Sequence, residues 1–137
     1  MSLLRLYTLV VSGERFTVTK DQLLSDPDNY FCTYFFGDFS ESQNSPTEII
    51  IEKEPALFKL IQAHLRGYRV LPIPEGIVPA YMTRDTMVQN LLIEAEYYGL
   101  DELAGRITEY LEKQTRVDEN RLLRRKYKLG VSTTTMY

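Results

Sequence analysis

The sequence predicts an α+β fold, and three observations predict it. Two neighbouring runs near the start are rich in β-branched and aromatic residues and flank a Ser-Gly pair, and a third such run lies near residue 50. Elsewhere apolar residues recur at helical spacing, behind Thr, Asp or Pro start signals and ahead of Gly stops. The chain has 137 residues, 44% hydrophobic and 26% charged. That is the length and composition of one globular domain, and a chain near this size buries ~70% of its unfolded surface without help from metal or disulfide.

Each element can be justified in order. Leu6–Val11 and Glu14–Val18 read as a strand pair around Ser12-Gly13. Thr19 and Gln22 fit a capping box that opens a short helix with Leu23 and Leu24. Asp26-Pro27 then reads as N-cap and first position of a helix that runs to Phe36 and stops at Gly37. Residues 37–46 are polar and turn-rich, hence a loop, and Glu48–Ile51 is a short strand. Pro55 begins a helix closed by Gly67. The stretch from Val70 to Pro74 is extended, because each Pro disfavours helix at the residue before it. Thr83 or Asp85 caps the next helix, which Gly99 ends, and a further helix starts at Asp101 after a tight corner. Val117–Lys128 can be helical but has a thin apolar face, and Ser132–Tyr137 is expected to order only against a partner. Short strands interleaved with five or six helices make the class.

Charge and cysteine usage narrow the function. The net charge of −3 is split: residues 116–137 hold six basic and two acidic side chains, while residues 1–115 are acidic overall. This gives an expected division into a domain at 1–115 and a basic C-terminal extension at 116–137. The single cysteine, Cys32, allows no internal disulfide, and no signal peptide or membrane span is legible. The expected compartment is the cytoplasm, with the nucleus as the alternative. The only histidine, His64, reads as a half-buried helix residue and cannot make a multi-His metal site. Phosphate-binding glycine patterns are absent, and the paired carboxylates sit where caps and solvated faces are usual. The chain is therefore expected to be no enzyme and to hold no cofactor and no metal. The basic run from Arg121 to Lys128 complements the acidic body or meets an anionic surface, with nucleic acid the weaker reading on an acidic protein.

Five pieces in order resemble the BTB/POZ fold, in the branch of potassium-channel tetramerisation (T1-like and KCTD-type) domains, and are similar to BTB domains of fungal growth and stress regulators. They are the hairpin Leu9–Phe16, with Ser12 where the family has a first Gly; Leu24–Phe31 followed by Phe35-Phe36-Gly37; Glu52–Pro55 with Phe58; His64-Leu65-Arg66-Gly67; and Glu94-Ala95-Glu96-Tyr97-Tyr98-Gly99-Leu100. Glu52 and Glu54 stand where the family has Asp, and His64 where it has Tyr. The His/Cys zinc cluster of some channel relatives has no counterpart, so a zinc-bridged tetramer is not expected. The resemblance implies a short three-stranded sheet packed against helices. It implies a protein–protein interaction module that forms homo-oligomers, as a dimer, tetramer or pentamer, and recruits a partner.

The recruiting role then has three forms: substrate adaptor for a Cullin-3 ubiquitin ligase, oligomerising scaffold that brings a phosphatase to growth or stress signalling, or cytoplasmic assembly domain of a channel-like protein. The candidate partner-binding residues are Phe39, an aromatic in a polar loop, and Glu94 and Tyr97, which share one face of their helix. Ala95 and Tyr98 of the same segment are expected to pack inward. The resemblance makes Glu54 and Arg66 the self-assembly candidates, although each also suits the helix end beside it.

Overall fold

A computed structural model describes residues 5–37 and 46–134, with side-chain surroundings as far as residue 127. Its class is α+β. Strands β1 (Leu6–Val11), β2 (Glu14–Thr19) and β3 (Glu48–Ile51) form one mixed sheet in the order β2-β1-β3. β1 runs antiparallel to β2, with Leu9 opposite Phe16, and parallel to β3, with Leu9 beside Ile49. Ser12 and Gly13 have φ of 48° and 88°, the double positive-φ turn that matches the twist of a hairpin. Ser12 is held there by two bonds, its N–H to the Ile51 carbonyl at 2.8 Å and its Oγ to the Lys53 carbonyl at 2.6 Å. A serine thus occupies a position glycine would take without strain.

The strands alternate. Tyr7, Leu9, Val11, Phe16, Val18, Ile49 and Ile51 face the core, while Leu6 and Ile50 lie on the exposed side. Five α-helices complete the described residues: α1 (Lys20–Leu24), α2 (Tyr30–Phe36), α3 (Pro55–Leu65), α4 (Arg84–Tyr97) and α5 (Asp101–Thr134), with a 3-10 turn at Glu75–Ile77. Both halves of the Thr19–Gln22 capping box are present. Thr83, not Asp85, caps α4. The Val70–Pro74 stretch is non-helical and includes a cis Leu71–Pro72 bond. A cluster of rings joins the helices: Phe31 lies 4.8 Å from Tyr98 and 6.0 Å from Phe58, and Phe58 lies 4.9 Å from Phe16 of β2.

Three local expectations are corrected. Asp26 is not the cap of α2; Asn29 is, its Oδ1 accepting from Cys32 N–H at 3.0 Å. The turn before it carries Asp28 at φ 63° and is tied by Asn29 Nδ2 to the Leu23 and Asp26 carbonyls. The helix from Asp101 and the helical stretch from Val117 are one continuous element, α5, because no proline interrupts it. His64 is 4% exposed, hence buried rather than half-buried. The chain divides into two compact units, Met1–Ile107 and Thr108–Tyr137. No helix among the described residues is long and apolar enough to cross a membrane.

Candidate interaction surface

The end of α4 is where the most informative part of the sequence becomes geometry. Gly99 sits at φ +69°, and the Leu100 N–H reaches the Ala95 carbonyl at 2.8 Å while the Gly99 N–H reaches Glu96 at 3.1 Å. These are the paired bonds of a Schellman ending. The start of α2 packs against it. Tyr30 N–H donates to the Tyr98 carbonyl at 2.7 Å, and a Cβ on Gly99 would lie 3.7 Å from the Asn29 Cα. The Glu94–Leu100 segment therefore fastens α2 to α4 and sets up the corner into α5.

The first turn of α5 has no capping side chain of its own, since Leu100 precedes it. The missing acceptor comes from Asp26. Its Oδ1 and Oδ2 accept from the Glu102 and Leu103 N–H groups, both at 3.1 Å, and Oδ2 also meets His64 Nε2 at 2.8 Å. On the far side of the ring, Arg106 Nη1 approaches Nδ1 at 3.5 Å. Arginine can only donate, so Nδ1 is the acceptor and Nε2 carries the proton given to Asp26. Asp26 is 1% exposed and His64 4%, so this is an internal brace between the α1–α2 turn, α3 and α5.

Of the partner candidates, Glu94 and Tyr97 do lie near one another, but they differ in exposure. Glu94 is 5% exposed and Tyr97 64%. Lys53 joins them, its Nζ 3.5 Å from Glu94 Oε2 and 4.3 Å from the centre of the Tyr97 ring. Burial pushes the Glu94 carboxyl above its ordinary value, and Lys53 pulls it partly back. The buried Tyr98 hydroxyl finds no hydrogen-bond partner among the described residues, and burial together with Glu94 raises it as well. The solvent-facing part of this region is Tyr97 with Lys53 and the exposed Ile93 one turn earlier on α4. The sequence did not single out Lys53. The available signal was its place inside Glu52–Pro55, one of the five pieces of the resemblance. Phe39 lies outside the described residues.

Glu54 caps α3, with Oε2 accepting from Ala56 N–H at 3.1 Å, and Oε1 accepts from the Tyr81 hydroxyl. That bond to the carboxylate raises the Tyr81 phenol, ahead of a smaller effect of burial. Arg66 is exposed at the other end of α3 and makes no ion pair among the described residues. Twelve residues of helical rise separate the two by ~18 Å. They cannot pair within one chain.

The chain's single thiol is engaged structurally. Cys32 Sγ lies 3.3 Å from the Leu23 carbonyl, and burial raises its thiol. No group of three or more His, Cys, Asp or Glu that could hold a metal ion occurs among the described residues.

Comparison with known proteins adds the context for this surface. A family profile described as the BTB/POZ domain matches residues 8–108. The SH3KBP1-binding protein 1 of Bos taurus is 30% identical over 99 residues, which make up 72% of this chain and 12% of that protein. The Rattus norvegicus protein of the same name is 29% identical over 99 residues, with the same shares covered. The matched stretch thus spans about an eighth of the length of these relatives.

Proposed function

The chain belongs to the BTB/POZ domain family, a family of protein-interaction domains, and on that premise we propose that it self-associates and presents a second protein on the surface around Tyr97, as a non-catalytic adaptor. One observation carries this reading. The family match at residues 8–108 covers the compact unit Met1–Ile107 from residue 8 to its end, so the family's interaction domain accounts for most of that unit. The non-catalytic part is supported by the only Cys and the only His being tied into structural contacts.

Self-association uses Glu54 of one copy and Arg66 of the next. Because the two lie at opposite ends of α3, such a pair is a head-to-tail contact, which closes into a ring of four or five copies or continues as a chain. The partner recruited is Cullin-3, through Tyr97 and Phe39, and the compartment is the cytoplasm or nucleus. Mass by light scattering tests assembly: a value several times that of the monomer is expected, and a monomer at high concentration overturns it. Titration with the Cullin-3 N-terminal domain tests recruitment. Tight binding weakened by Tyr97→Ala and Phe39→Ala is expected, and no binding at tens of micromolar removes the ubiquitin-ligase role.

A scaffold without ubiquitin chemistry, such as one recruiting a phosphatase, is the second reading. It accords with the relatives' name, which describes a protein that binds another protein. Retained assembly without Cullin-3 binding would select it.

A further inference from the structure

The unit Thr108–Tyr137 carries a surface that the adaptor reading does not use. From Asn120 to Lys128 the sequence holds Arg121, Arg124, Arg125, Lys126 and Lys128 and no acid. This stretch is helical throughout, within α5. With about 100° of turn per residue, Arg121, Arg124 and Arg125 share one arc, and Leu122, Leu123 and Tyr127 cover the opposite side. Those three apolar side chains are 62%, 55% and 76% exposed. None of Arg121, Arg124, Arg125 and Lys126 makes an ion pair among the described residues, although Asp118 and Glu119 lie within a turn. Lys126 falls on the apolar side, where its stem can lie along the leucines while its ammonium reaches out.

We propose that this part of α5 docks on the surface of an anionic lipid bilayer. The charge calls for an anionic partner, since none of these four cations is paired with an acid among the described residues, Asp118 and Glu119 of the same helix included. The apolar side selects the lipid. A nucleic-acid backbone would engage the arginines but leave Leu122 and Leu123 in water, whereas the bilayer interface takes both faces of a basic amphipathic helix. With only two turns involved, the apolar contact is small and attraction to acidic headgroups supplies the rest. The proposal does not depend on the adaptor reading, as it rests on residues outside the family match.

Sedimentation of the full chain with phosphatidylcholine vesicles, with and without phosphatidylserine, tests it. Pelleting with the phosphatidylserine vesicles alone is expected, and it should fall as salt is raised. Replacing Arg121, Arg124 and Arg125 together by Gln should weaken vesicle binding roughly a hundredfold, from ~1 kcal/mol per basic residue. Replacing Leu122 and Leu123 by Ser should weaken it roughly tenfold or more. Both variants change only exposed positions, and circular dichroism matching the parent verifies that they fold. Absence of pelleting with phosphatidylserine, or equal pelleting with neutral vesicles, overturns the proposal. So does binding to duplex nucleic acid that survives the leucine change while vesicle binding is absent. A triple Gln variant that alters the chain's mass in solution, without affecting vesicles, assigns the face to a second copy and also overturns it.

Discussion

Helix α5 begins as part of a core and ends as something else. Leu103 and Ile107 are both 0% exposed, whereas from Thr108 to Tyr127 no side chain is buried, and only Tyr110 and Leu111 are half-buried. The first stretch is held by burial and by the Asp26 carboxylate at its N-terminus. The second has its own backbone bonds, the Glu109–Lys113 ion pair at 3.2 Å and a bond from Thr115 Oγ1 to the Leu111 carbonyl. Such i,i+4 contacts add only tenths of a kcal/mol. The same secondary structure is thus stabilised by tertiary packing in one unit and by local helicity in the other. Burial, not helix content, marks where the interaction domain stops.

Four measurements would break or sharpen that contrast. The largest effect is expected from Asp26→Ala, which leaves His64 without its partner and two α5 N–H groups uncapped. It should lower stability by about 2–5 kcal/mol in urea unfolding, from lost hydrogen bonds to a carboxylate and a lost helix cap. A loss below about 1 kcal/mol would show that the first unit does not depend on the brace. Next comes Gly99→Ala, which places a side chain at φ +69° and should cost about 1–2 kcal/mol. No measurable loss would mean the corner can relax.

Glu94→Gln tests pH dependence. Burial holds the Glu94 carboxyl above its ordinary value, so the folded chain keeps this proton more tightly than the unfolded chain. Its contribution is fully present below the ordinary glutamate value and is lost as pH rises through the raised one. The parent protein should lose stability across that interval relative to Glu94→Gln, and two curves that stay parallel would contradict the burial argument. The smallest effect belongs to Leu123→Ala in the second unit, which should stay within about 0.5 kcal/mol. A larger loss would reveal packing on that face.

What was legible in the sequence follows from how far each signal reaches. The hairpin, the Thr19 capping box and the Gly99 ending were readable because every partner lies within a few residues. Asp26 misled for the opposite reason. Beside Pro27 it has the local form of a cap, yet the N–H groups it accepts belong to residues 76 and 77 positions later. The candidate surface was legible in part. Helical period placed Glu94 and Tyr97 together, but Lys53, which comes from the connection between β3 and α3, joins them, and Glu94 is enclosed while Tyr97 stays open. Periodicity states which side of a helix a residue is on; what lies against that side is a property of the whole fold.

The Asp26 brace also bears on how the first unit comes apart. One carboxylate closes loops of 38 and 77 residues at once, without a covalent bond. Each closure gives a return only once its own distant segment has arrived, because the chain entropy of a long loop is lost before its contact forms. Partial opening at any of the three sites would leave a buried polar group without its partner. The α1–α2 turn, α3 and the start of α5 are therefore expected to open as a single step, seen as one shared rate of amide exchange across segments far apart in the chain.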